Sequence, residues 1–502
     1  MRIAFMRIAV NETRKHMKVG NMENSNRPLR IAVVGSGPAG VYTSDILLRQ
    51  ISQRGEELGI GNQAVIDLYE KLPVPFGLVR YGVAPDHPSV KFITGALEKT
   101  LNNPNIRLFC DIEIGKDVTV EQLREFYDAI VFATGAVDDR PLRLPGADLD
   151  GVYGAAKFVE WYDGYPDGPK EWPLNAESVA VIGGGNVAMD VARELVRRAD
   201  DLLPTDIPQN VYDGIDANPC REMHVFVRRG VAQAKFSVQE LRELEKLPGV
   251  RIIVNEDDFE LDEATIEIAG QDKLTRQMVE EIFAIRDLAE DMEYEDCDFR
   301  GEPADRRYYL HFNSNPTEIL GENGKVCAIR VERTQTSAEG KMSNTGEFTD
   351  YPVQAVYHAI GYRPAAVSGV AYDEKKYHLL NERGRILEDD AQTVIPFVYA
   401  TGWAKRGPVG LIGSTKSDAL ETVNNILSDW AGTEQKGRTA PKGTDEEVAK
   451  FLESEGLAPI DYQGWRRVDA YERAQGAKAG REHIKVTDSE QIRRIARGEE
   501  TA

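Results

Sequence analysis

Two glycine-rich turns, each placed directly after a short apolar run, constrain the fold of this 502-residue chain more than any other feature. The first turn is GSGPAG at residues 35–40, after the β-branched run RIAVV at 30–34. The second is GGGNVA at 183–188, after SVAVI at 178–182. Such a turn lets a buried parallel strand pass directly into a helix and lets the backbone approach a pyrophosphate. The sequence therefore predicts two strand–turn–helix units, each suited to a dinucleotide.

The two units differ at the end of their second strand. In the first unit, a helix over 41–50 leads to a strand over 64–69 that ends in Glu70. A carboxylate at this position is suited to a ribose hydroxyl pair. The spacing from Gly40 to Glu70 exceeds the usual ~20 residues, and we interpret the polar residues 52–63 as a surface extension. We therefore assign FAD to the first unit.

In the second unit, Arg228 and Arg229 stand where the first unit has its acid. A carboxylate there would repel a 2′-phosphate, whereas guanidinium groups pair with it. The arginine pair therefore predicts NADP(H) over NAD(H). The alternative is that both arginines are solvated surface residues.

The remaining apolar runs favour an interrupted architecture. We predict an α/β fold with two Rossmann-like dinucleotide-binding domains, in which the NADP domain is inserted within a discontinuous FAD domain. We interpret the acidic stretch 256–297 as an irregular, solvated excursion of the inserted domain. The predicted boundaries are an N-terminal extension over 1–29 that we expect to be disordered, the FAD domain over 30–136 and 355–434, the NADP domain over 137–354, and a polar C-terminal extension over 435–502.

Composition argues against several classes of function. The 61 basic and 83 acidic residues give a net charge of −22, which disfavours nucleic acid and anionic membranes as partners. We find no run of roughly 18 apolar residues, so we expect no membrane span. The four cysteines form no CxxC, which argues against a redox dithiol or an iron–sulfur cluster and indicates a reducing compartment. We therefore expect a cytoplasmic protein, or a mitochondrial matrix protein if the basic N-terminal residues are a transit peptide.

Two further segments are candidates for lining a flat ring system. Residues 72–88, LPVPFGLVRYGVAPDHP, are dense in proline and glycine, which makes them rigid, and they contain His87. Trp403 follows a Thr-Gly turn, which would place its indole near a flavin. The segment GPVGLIG at 407–413 would present backbone N–H groups at the start of the last helix of the first domain. A structural histidine and a core tryptophan are the alternatives.

Six motifs carry a resemblance to a known family. They are VGSGPAG at 34, LYEKLPVPFGLVRYGVAPDHP at 68, GGGNVAMDVAREL at 183, VRRG at 227, FSVQELREL at 236 and TGWAKRGPVGLIGS at 401. Over residues 30–427 the chain resembles the adrenodoxin-reductase-type ferredoxin–NADP⁺ reductases, which are flavoproteins with two dinucleotide-binding domains. It departs from them in GVAQAKF at 230–236, where the family usually has proline-leucine after the glycine and a small apolar residue in place of Lys235.

This resemblance implies a set of site residues and no metal. His87 and Glu240 would lie at the contact between nicotinamide and flavin, as the catalytic pair. Together with the first glycine turn, it assigns FAD contacts to Gly35, Gly37, Ala39, Gly40, Glu70, Leu78, Val118, Trp403, Gly410, Leu411 and Ile412. It assigns NADP(H) contacts to Gly184, Gly185, Asn186, Val187, Arg228, Arg229, Glu240 and Gly410.

The activity implied by the resemblance is hydride transfer from NADPH to FAD, followed by transfer of single electrons to a ferredoxin-type iron–sulfur protein. Lys405, Arg406 and Lys416 are candidate docking residues for such an acidic partner. Two alternatives stay open. One is an electron-input flavoprotein resembling the glutamate synthase small subunit, a group that normally carries cysteine-rich segments which this chain lacks. The other is a non-catalytic dinucleotide sensor, which an absorbance spectrum would separate from an enzyme.

Overall fold

Two mainly parallel sheets organise the chain. The computed structural model describes residues 28–259, 261, 263–290, 297–337, 341–410, 412–431 and 443–502, so the predicted disorder of the N-terminal extension falls almost wholly outside the described residues. In spatial order, the first sheet contains Asn381–Glu382, Arg385–Leu387, Val394–Ala400, Ala129–Phe132, Leu29–Val34, Ala64–Glu70 and Ile106–Cys110. The second contains Val152–Gly154, Ala355–His358, Ser178–Ile182, Glu222–Phe226, Arg306–His311 and Val250–Val254.

Three smaller strand groups and a set of helices complete the architecture. The strand groups are the antiparallel ribbon Ser314–Glu322, Lys325–Thr336 and Met342–Pro352, the pair Asp138–Asp139 and Tyr362–Arg363, and the pair Tyr372–Asp373 and His378–Leu379. The α-helices are Pro38–Arg54, Leu78–Tyr81, Pro88–Lys91, Thr94–Leu101, Val120–Phe126, Ala155–Tyr162, Asn186–Val196, Gln209–Asp216, Val238–Leu244, Glu263–Gln271, Lys273–Glu290, Trp403–Arg406, Ile412–Ala431, Asp445–Ser454, Tyr462–Lys478 and Ser489–Arg497. Short 3₁₀ helices lie at Ala199–Leu202, Val231–Gln233 and Glu256–Phe259. Among the described residues, none of the helices has the length and apolar character needed to cross a bilayer.

Both sheets are buried on their two faces. In Leu29–Val34, Ile31 and Val33 enter one apolar core while Ala32 and Val34 enter another. Successive side chains of a strand point to opposite faces, so a strand buried on both faces is apolar throughout, as the run at 30–34 indicates. Both glycine turns join a strand, a helix and a second strand that pairs in parallel with the first. The predicted fold class is confirmed.

The inserted domain ends later than predicted. The chain leaves the first sheet after Ala129–Phe132 and re-enters it at Asn381–Glu382. The strand Ala355–His358 pairs with Ser178–Ile182 in the second sheet, so the predicted return to the FAD domain at 355 is wrong. A buried apolar run shows that a strand is present but not which sheet it joins, because both sheets offer equivalent parallel neighbours.

The acidic stretch after 256 is also more regular than predicted. It forms the helices Glu263–Gln271 and Lys273–Glu290. Met278, Ile282 and Ile285 lie on one face of the second helix and are buried in the core of the inserted domain. The interpretation as an irregular excursion is therefore wrong for these residues, because three or four apolar residues at helical spacing are enough to anchor a charged helix.

The polar C-terminal residues fold onto the first domain. Ile460 forms two backbone hydrogen bonds of 3.0 Å with Cys110 at the edge of the first sheet. Trp465, Val468 and Ile492 are buried in the same core as the first strand. Each C-terminal helix buries a single narrow face, so the composition of this region is polar although its packing is not loose.

Replacement of Trp465 by alanine tests this packing. The indole is 3 % exposed and contacts Phe76 edge to face at 5.4 Å. We expect W465A to lower the free energy of unfolding by about 3–5 kcal/mol, the usual loss for a large buried aromatic side chain. Q463A, two residues away on the exposed face, should change it by less than about 0.5 kcal/mol. Urea unfolding curves measure both values, and equal small effects would contradict a buried C-terminal segment.

Candidate active site

In the first glycine turn, two glycines lie in close contact with neighbouring backbone atoms, and the third does not. A Cβ at Gly35 would lie 2.4 Å from the carbonyl oxygen of Ala133, and one at Gly40 would lie 1.9 Å from that of Gly35. A Cβ at Gly37 would meet no heavy atom closer than 3.9 Å. The outer glycines therefore let the strand and the helix approach each other, while the middle one leaves the backbone open to a ligand. This cradle fits a pyrophosphate.

Glu70 lies beside this turn, as predicted for a ribose acceptor. Its carboxylate is largely buried and accepts hydrogen bonds from the Ser36 backbone N–H at 2.9 Å and the Ser36 hydroxyl at 2.8 Å. The Leu72 N–H donates to its other oxygen at 3.1 Å. The donor set around Glu70 thus fixes the carboxylate at the carboxyl end of the second strand, at the edge of the turn.

Several other predicted FAD residues converge on the same turn. Leu78 opens a short helix directly after Gly77, whose added Cβ would lie 3.3 Å from the Gly37 Cα. The turn before Trp403 abuts Ala39, because a Cβ at Gly402 would lie 2.6 Å from the Ala39 Cβ. The half-buried Trp403 packs near Ala136, Ala156 and Tyr362.

The remaining predicted FAD residues are less directly placed. Val118 is fully buried in the apolar core behind the first sheet, and its carbonyl oxygen accepts a hydrogen bond from the Gly115 N–H at 2.8 Å. The structure therefore leaves none of its surface open to a ligand. Gly410 has a φ of 85°, and a Cβ there would lie 2.4 Å from the Ser414 hydroxyl. Ile412 is the first residue of the helix Ile412–Ala431, whereas Leu411 lies outside the described residues.

The second glycine turn follows the same pattern. Added Cβ atoms at Gly183 and Gly184 would lie 2.6 Å from the Ala359 carbonyl oxygen and 2.9 Å from a Val227 methyl group, whereas one at Gly185 would meet nothing within 4 Å. Val187 lies in the first turn of the helix that starts here, Asn186–Val196.

The segment with the unusual Lys235 lies against this turn. The Lys235 N–H donates to the Gly184 carbonyl oxygen at 2.7 Å, and the Ser237 N–H donates to the Asn186 side chain at 3.1 Å. These bonds hold residues 235–237 against the open backbone of the turn.

Three exposed cations surround the second turn. Arg228 and Arg229 are exposed directly after the strand Glu222–Phe226, and Lys235 is exposed as well. Hydrogen bonds from Thr334 and Asn313 to the two arginine carbonyl oxygens fix the backbone. Among the described residues, none of the three cationic groups lies within ion-pair distance of a carboxylate. Their charge is therefore available to a phosphate group.

The predicted catalytic pair comes together from opposite domains. His87 lies in the proline-rich segment 72–88 of the first domain, and Glu240 lies on the helix Val238–Leu244 of the inserted domain. The His87 Nε2 is 3.6 Å from a Glu240 carboxylate oxygen and 3.0 Å from an Asp190 oxygen. Asp190 was not among the residues predicted from the sequence, although its place one turn into the helix after the second glycine turn is a signal for it.

A buried arginine, also missed, joins these groups. The Arg193 guanidinium donates to Glu240 at 2.8 Å, to Asp190 at 2.5 Å and to Asp86 at 2.5 Å. One of its nitrogens is also 2.8 Å from the His87 Nε2. The oxygens and nitrogen of Asp86, His87 and Asp190 converge closely enough to hold a metal ion, but the guanidinium contacts all three groups and takes that position.

The charges at this contact shift the pKa values of His87 and Glu240. Burial and the neighbouring Arg193 cation lower the pKa of His87, but the hydrogen bonds to the Asp190 and Glu240 carboxylates outweigh both and raise the pKa to about 10. Burial favours a high pKa for Glu240, yet His87 and Arg193 lower it. His87 is therefore an imidazolium at neutral pH, paired with carboxylates of the inserted domain.

The pH dependence of stability tests this pairing. The folded pKa of His87 lies above the unfolded value, so its stabilisation is complete below about pH 6.5 and is lost as the pH rises toward about 10. We expect the difference in free energy of unfolding between wild type and H87Q to shrink across this window by up to about 1.4 kcal/mol per pH unit. Urea unfolding across the window measures the difference, and a difference independent of pH would contradict the pairing.

Comparison with known proteins agrees with the geometry. The model of the family "Pyridine nucleotide-disulphide oxidoreductase" matches residues 29–257. The chain is 35% identical to NADPH-ferredoxin reductase FprA of Mycobacterium tuberculosis over 94% of this chain and 100% of that protein. It is 34% identical to the mitochondrial NADPH:adrenodoxin oxidoreductase of Homo sapiens, over 93% of this chain and 91% of that one.

A solved structure is also similar. M. tuberculosis FprA in complex with NADPH matches with a TM-score of 0.83 and 33% identity, over 94% of this chain and 100% of that chain. The predicted resemblance is thus confirmed over a longer part of the chain than the motifs covered. The chain belongs to the family of the NADPH-dependent ferredoxin and adrenodoxin reductases.

Proposed function

We propose that this protein is an FAD-dependent NADPH:ferredoxin oxidoreductase. The observation that carries the proposal is the contact of His87 with Glu240 and Asp190, because it brings the edge of the FAD domain onto the NADP domain. A hydride passes directly between two cofactors only where their domains meet. When bound, FAD accepts two electrons together and releases them singly, which suits a one-electron carrier as the acceptor.

The residues at this contact have electrostatic and positioning roles. The His87 imidazolium places positive charge where the two cofactor sites adjoin, and it is able to stabilise negative charge that develops on a bound ring. Glu240 and Asp190 hold the imidazole in place and keep it protonated. The rigid segment around Pro88 and the helix Val238–Leu244 carry the partners from either side.

The cations around the second turn favour NADPH over NADH. Arg228 and Arg229 follow the second strand of the unit, where the adenosine ribose of a bound nucleotide lies in this fold. Lys235 is exposed beside the same turn and adds a third positive charge. The open backbone at Gly185 leaves the start of the helix free for the pyrophosphate.

Replacing both arginines tests this preference. We expect R228A/R229A to raise the KM for NADPH at least about tenfold, since each lost charge-assisted hydrogen bond costs roughly 1.5–3 kcal/mol, and to change the KM for NADH less than about twofold. R221A is a matched control, because Arg221 is exposed at the opposite end of the same strand and lies 3.6 Å from Asp305. Steady-state kinetics with both nucleotides measure the effect; an equal rise for NADPH and NADH would exclude a role in 2′-phosphate recognition.

The docking site proposed for the acceptor needs one correction. Lys405 is largely buried and pairs with Asp418 at 3.0 Å and with Glu421 at 2.7 Å, so it is not available to a partner. Arg406 is partly buried. Lys416 is exposed on the helix Ile412–Ala431 and is the remaining candidate for an acidic iron–sulfur protein.

Cytochrome c reduction tests the acceptor. We expect NADPH-dependent reduction of cytochrome c to require added ferredoxin, and its rate to fall as ionic strength rises, because exposed charges steer the encounter. K416A should lower the rate severalfold at low salt and leave NADPH-dependent ferricyanide reduction unchanged. K450A, an exposed lysine on the helix Asp445–Ser454, is the control. Reduction that is independent of ferredoxin would contradict the proposed acceptor.

We keep the cytoplasm as the proposed location, with the mitochondrial matrix as the alternative. The four free cysteines, of which Cys110 and Cys220 are buried, support a reducing compartment. The basic residues on which the alternative rests lie outside the described residues.

A further inference from the structure

A lysine from the C-terminal segment lies buried between the two dinucleotide domains. Lys485 stands between the helices Tyr462–Lys478 and Ser489–Arg497 and has no exposed side-chain surface. Its ammonium group donates to the Arg80 carbonyl oxygen at 2.9 Å and to the Asp163 carbonyl oxygen at 3.0 Å. It also lies 3.2 Å from the Asp163 carboxylate and 3.1 Å from that of Asp206. One cation thus contacts oxygens of the first domain and of the inserted domain.

A second lysine shares the same two carboxylates. Lys91 lies 3.1 Å from Asp163 and 2.8 Å from Asp206. Two lysines therefore balance two aspartates in a site from which solvent is largely excluded. Buried charges are tolerated only with such compensation, because an unpaired one costs several kcal/mol. The cluster requires all three parts of the chain, the first domain, the inserted domain and the C-terminal segment, to be in place.

The C-terminal segment also holds Arg80 by its side chain. The guanidinium is 2.6 Å from the fully buried Glu472 carboxylate. The other oxygen of Glu472 is 2.7 Å from His483, and the Val486 N–H donates to the first at 2.8 Å. The Arg80 guanidinium also lies over the Trp465 ring at 5.2 Å.

In sequence, His87 lies between Arg80 and Lys91, the two first-domain residues that contact the buried cluster. Arg80 precedes it by seven residues, and Lys91 ends the short helix Pro88–Lys91 that His87 begins. The Lys91 N–H donates to the His87 carbonyl oxygen at 3.2 Å. A shift of Arg80 or Lys91 relative to Asp163 would therefore move His87 relative to Asp190 and Glu240.

We propose that Lys485 is a positioning residue for hydride transfer, which sets the place of His87 against the inserted domain without touching either cofactor. This inference rests on the proposed function. It gives the C-terminal segment a role in the reaction, since a residue almost 400 positions from His87 decides where that histidine lies. Displacements of about 1 Å in a reacting pair cost up to about a hundredfold in rate.

A double-mutant cycle with His87 tests the proposal. In stopped-flow reduction of the bound flavin by NADPH, we expect K485M to lower the rate constant about tenfold in the wild-type background. In the H87Q background it should lower the rate less than about twofold, because the residue through which it acts is already lost. The dissociation constant of NADP⁺ should change less than about threefold. Equal effects of K485M in both backgrounds would overturn the proposal.

Two further variants keep the test decisive. K485M/D206N removes one charge of each sign, so it keeps the buried cluster balanced if K485M alone fails to fold. In the same cycle it should still slow flavin reduction in a His87-dependent way. A normal rate in this variant would overturn the proposal.

R493A is the matched control for attachment of the C-terminal segment. Arg493 joins this segment to Asp111 at 2.8 Å at a partly exposed site, in an ion pair that does not involve Arg80 or Lys91. It should leave the rate constant within about twofold of wild type, and a loss as large as that of K485M would overturn the proposal. A wild-type flavin that NADPH fails to reduce would instead contradict the proposed function.

Discussion

The arrangement of the two domains depends on one buried guanidinium. Arg193 has no exposed surface and donates to Asp86 of the first domain and to Asp190 and Glu240 of the inserted one. A buried cation that lost its acceptors would be destabilised by several kcal/mol. Asp86 of the first domain supplies one of its three carboxylate partners and accepts two of its hydrogen bonds. Separation of the domains would therefore leave part of this buried guanidinium without acceptors.

The positive and negative charges around Arg193 are equal in number when Glu194 is neutral. Glu194 is fully buried, and neither of its oxygens accepts a hydrogen bond from the described residues, although the Arg197 Nε lies 3.4 Å from one of them. Burial, partly offset by Arg197, raises the pKa of Glu194 to about 8, so this carboxyl is mainly protonated at neutral pH. Three positive groups then face three carboxylates: His87, Arg193 and Arg197 against Asp86, Asp190 and Glu240. This balance explains how so dense a charged contact is stable inside the molecule.

Features that depend on local backbone geometry could be predicted from the sequence, and features that depend on long-range packing could not. Glu70 and Arg228 follow their strands at positions that the glycine turns fix, so their places were predictable. From the sequence, Lys405 was a candidate docking residue. The two acids that pair with it, Asp418 and Glu421, lie 13 and 16 residues later on another helix, so the sequence alone does not show the pairing. The sequence placed the return to the first domain at 355, but the residues that follow form the strand Ala355–His358 of the second sheet. Arg193 belongs to a helix whose pattern shows an amphipathic face, and only the folded chain shows that its partner is Asp86.

Polar contacts restrain the position of His87 more tightly than apolar contacts could. An apolar interface tolerates small displacements, whereas hydrogen bonds weaken steeply outside a narrow range of distance and angle. His87 lies between two such polar clusters, one centred on Arg193 and the other on Lys485. Both contain groups from the first and the inserted domain, so a relative movement of the domains at this point would break several charged hydrogen bonds together. Hydride transfer needs its partners within a fraction of an ångström of a productive geometry, and paired buried charges on either side of His87 supply that restraint where the core alone would not.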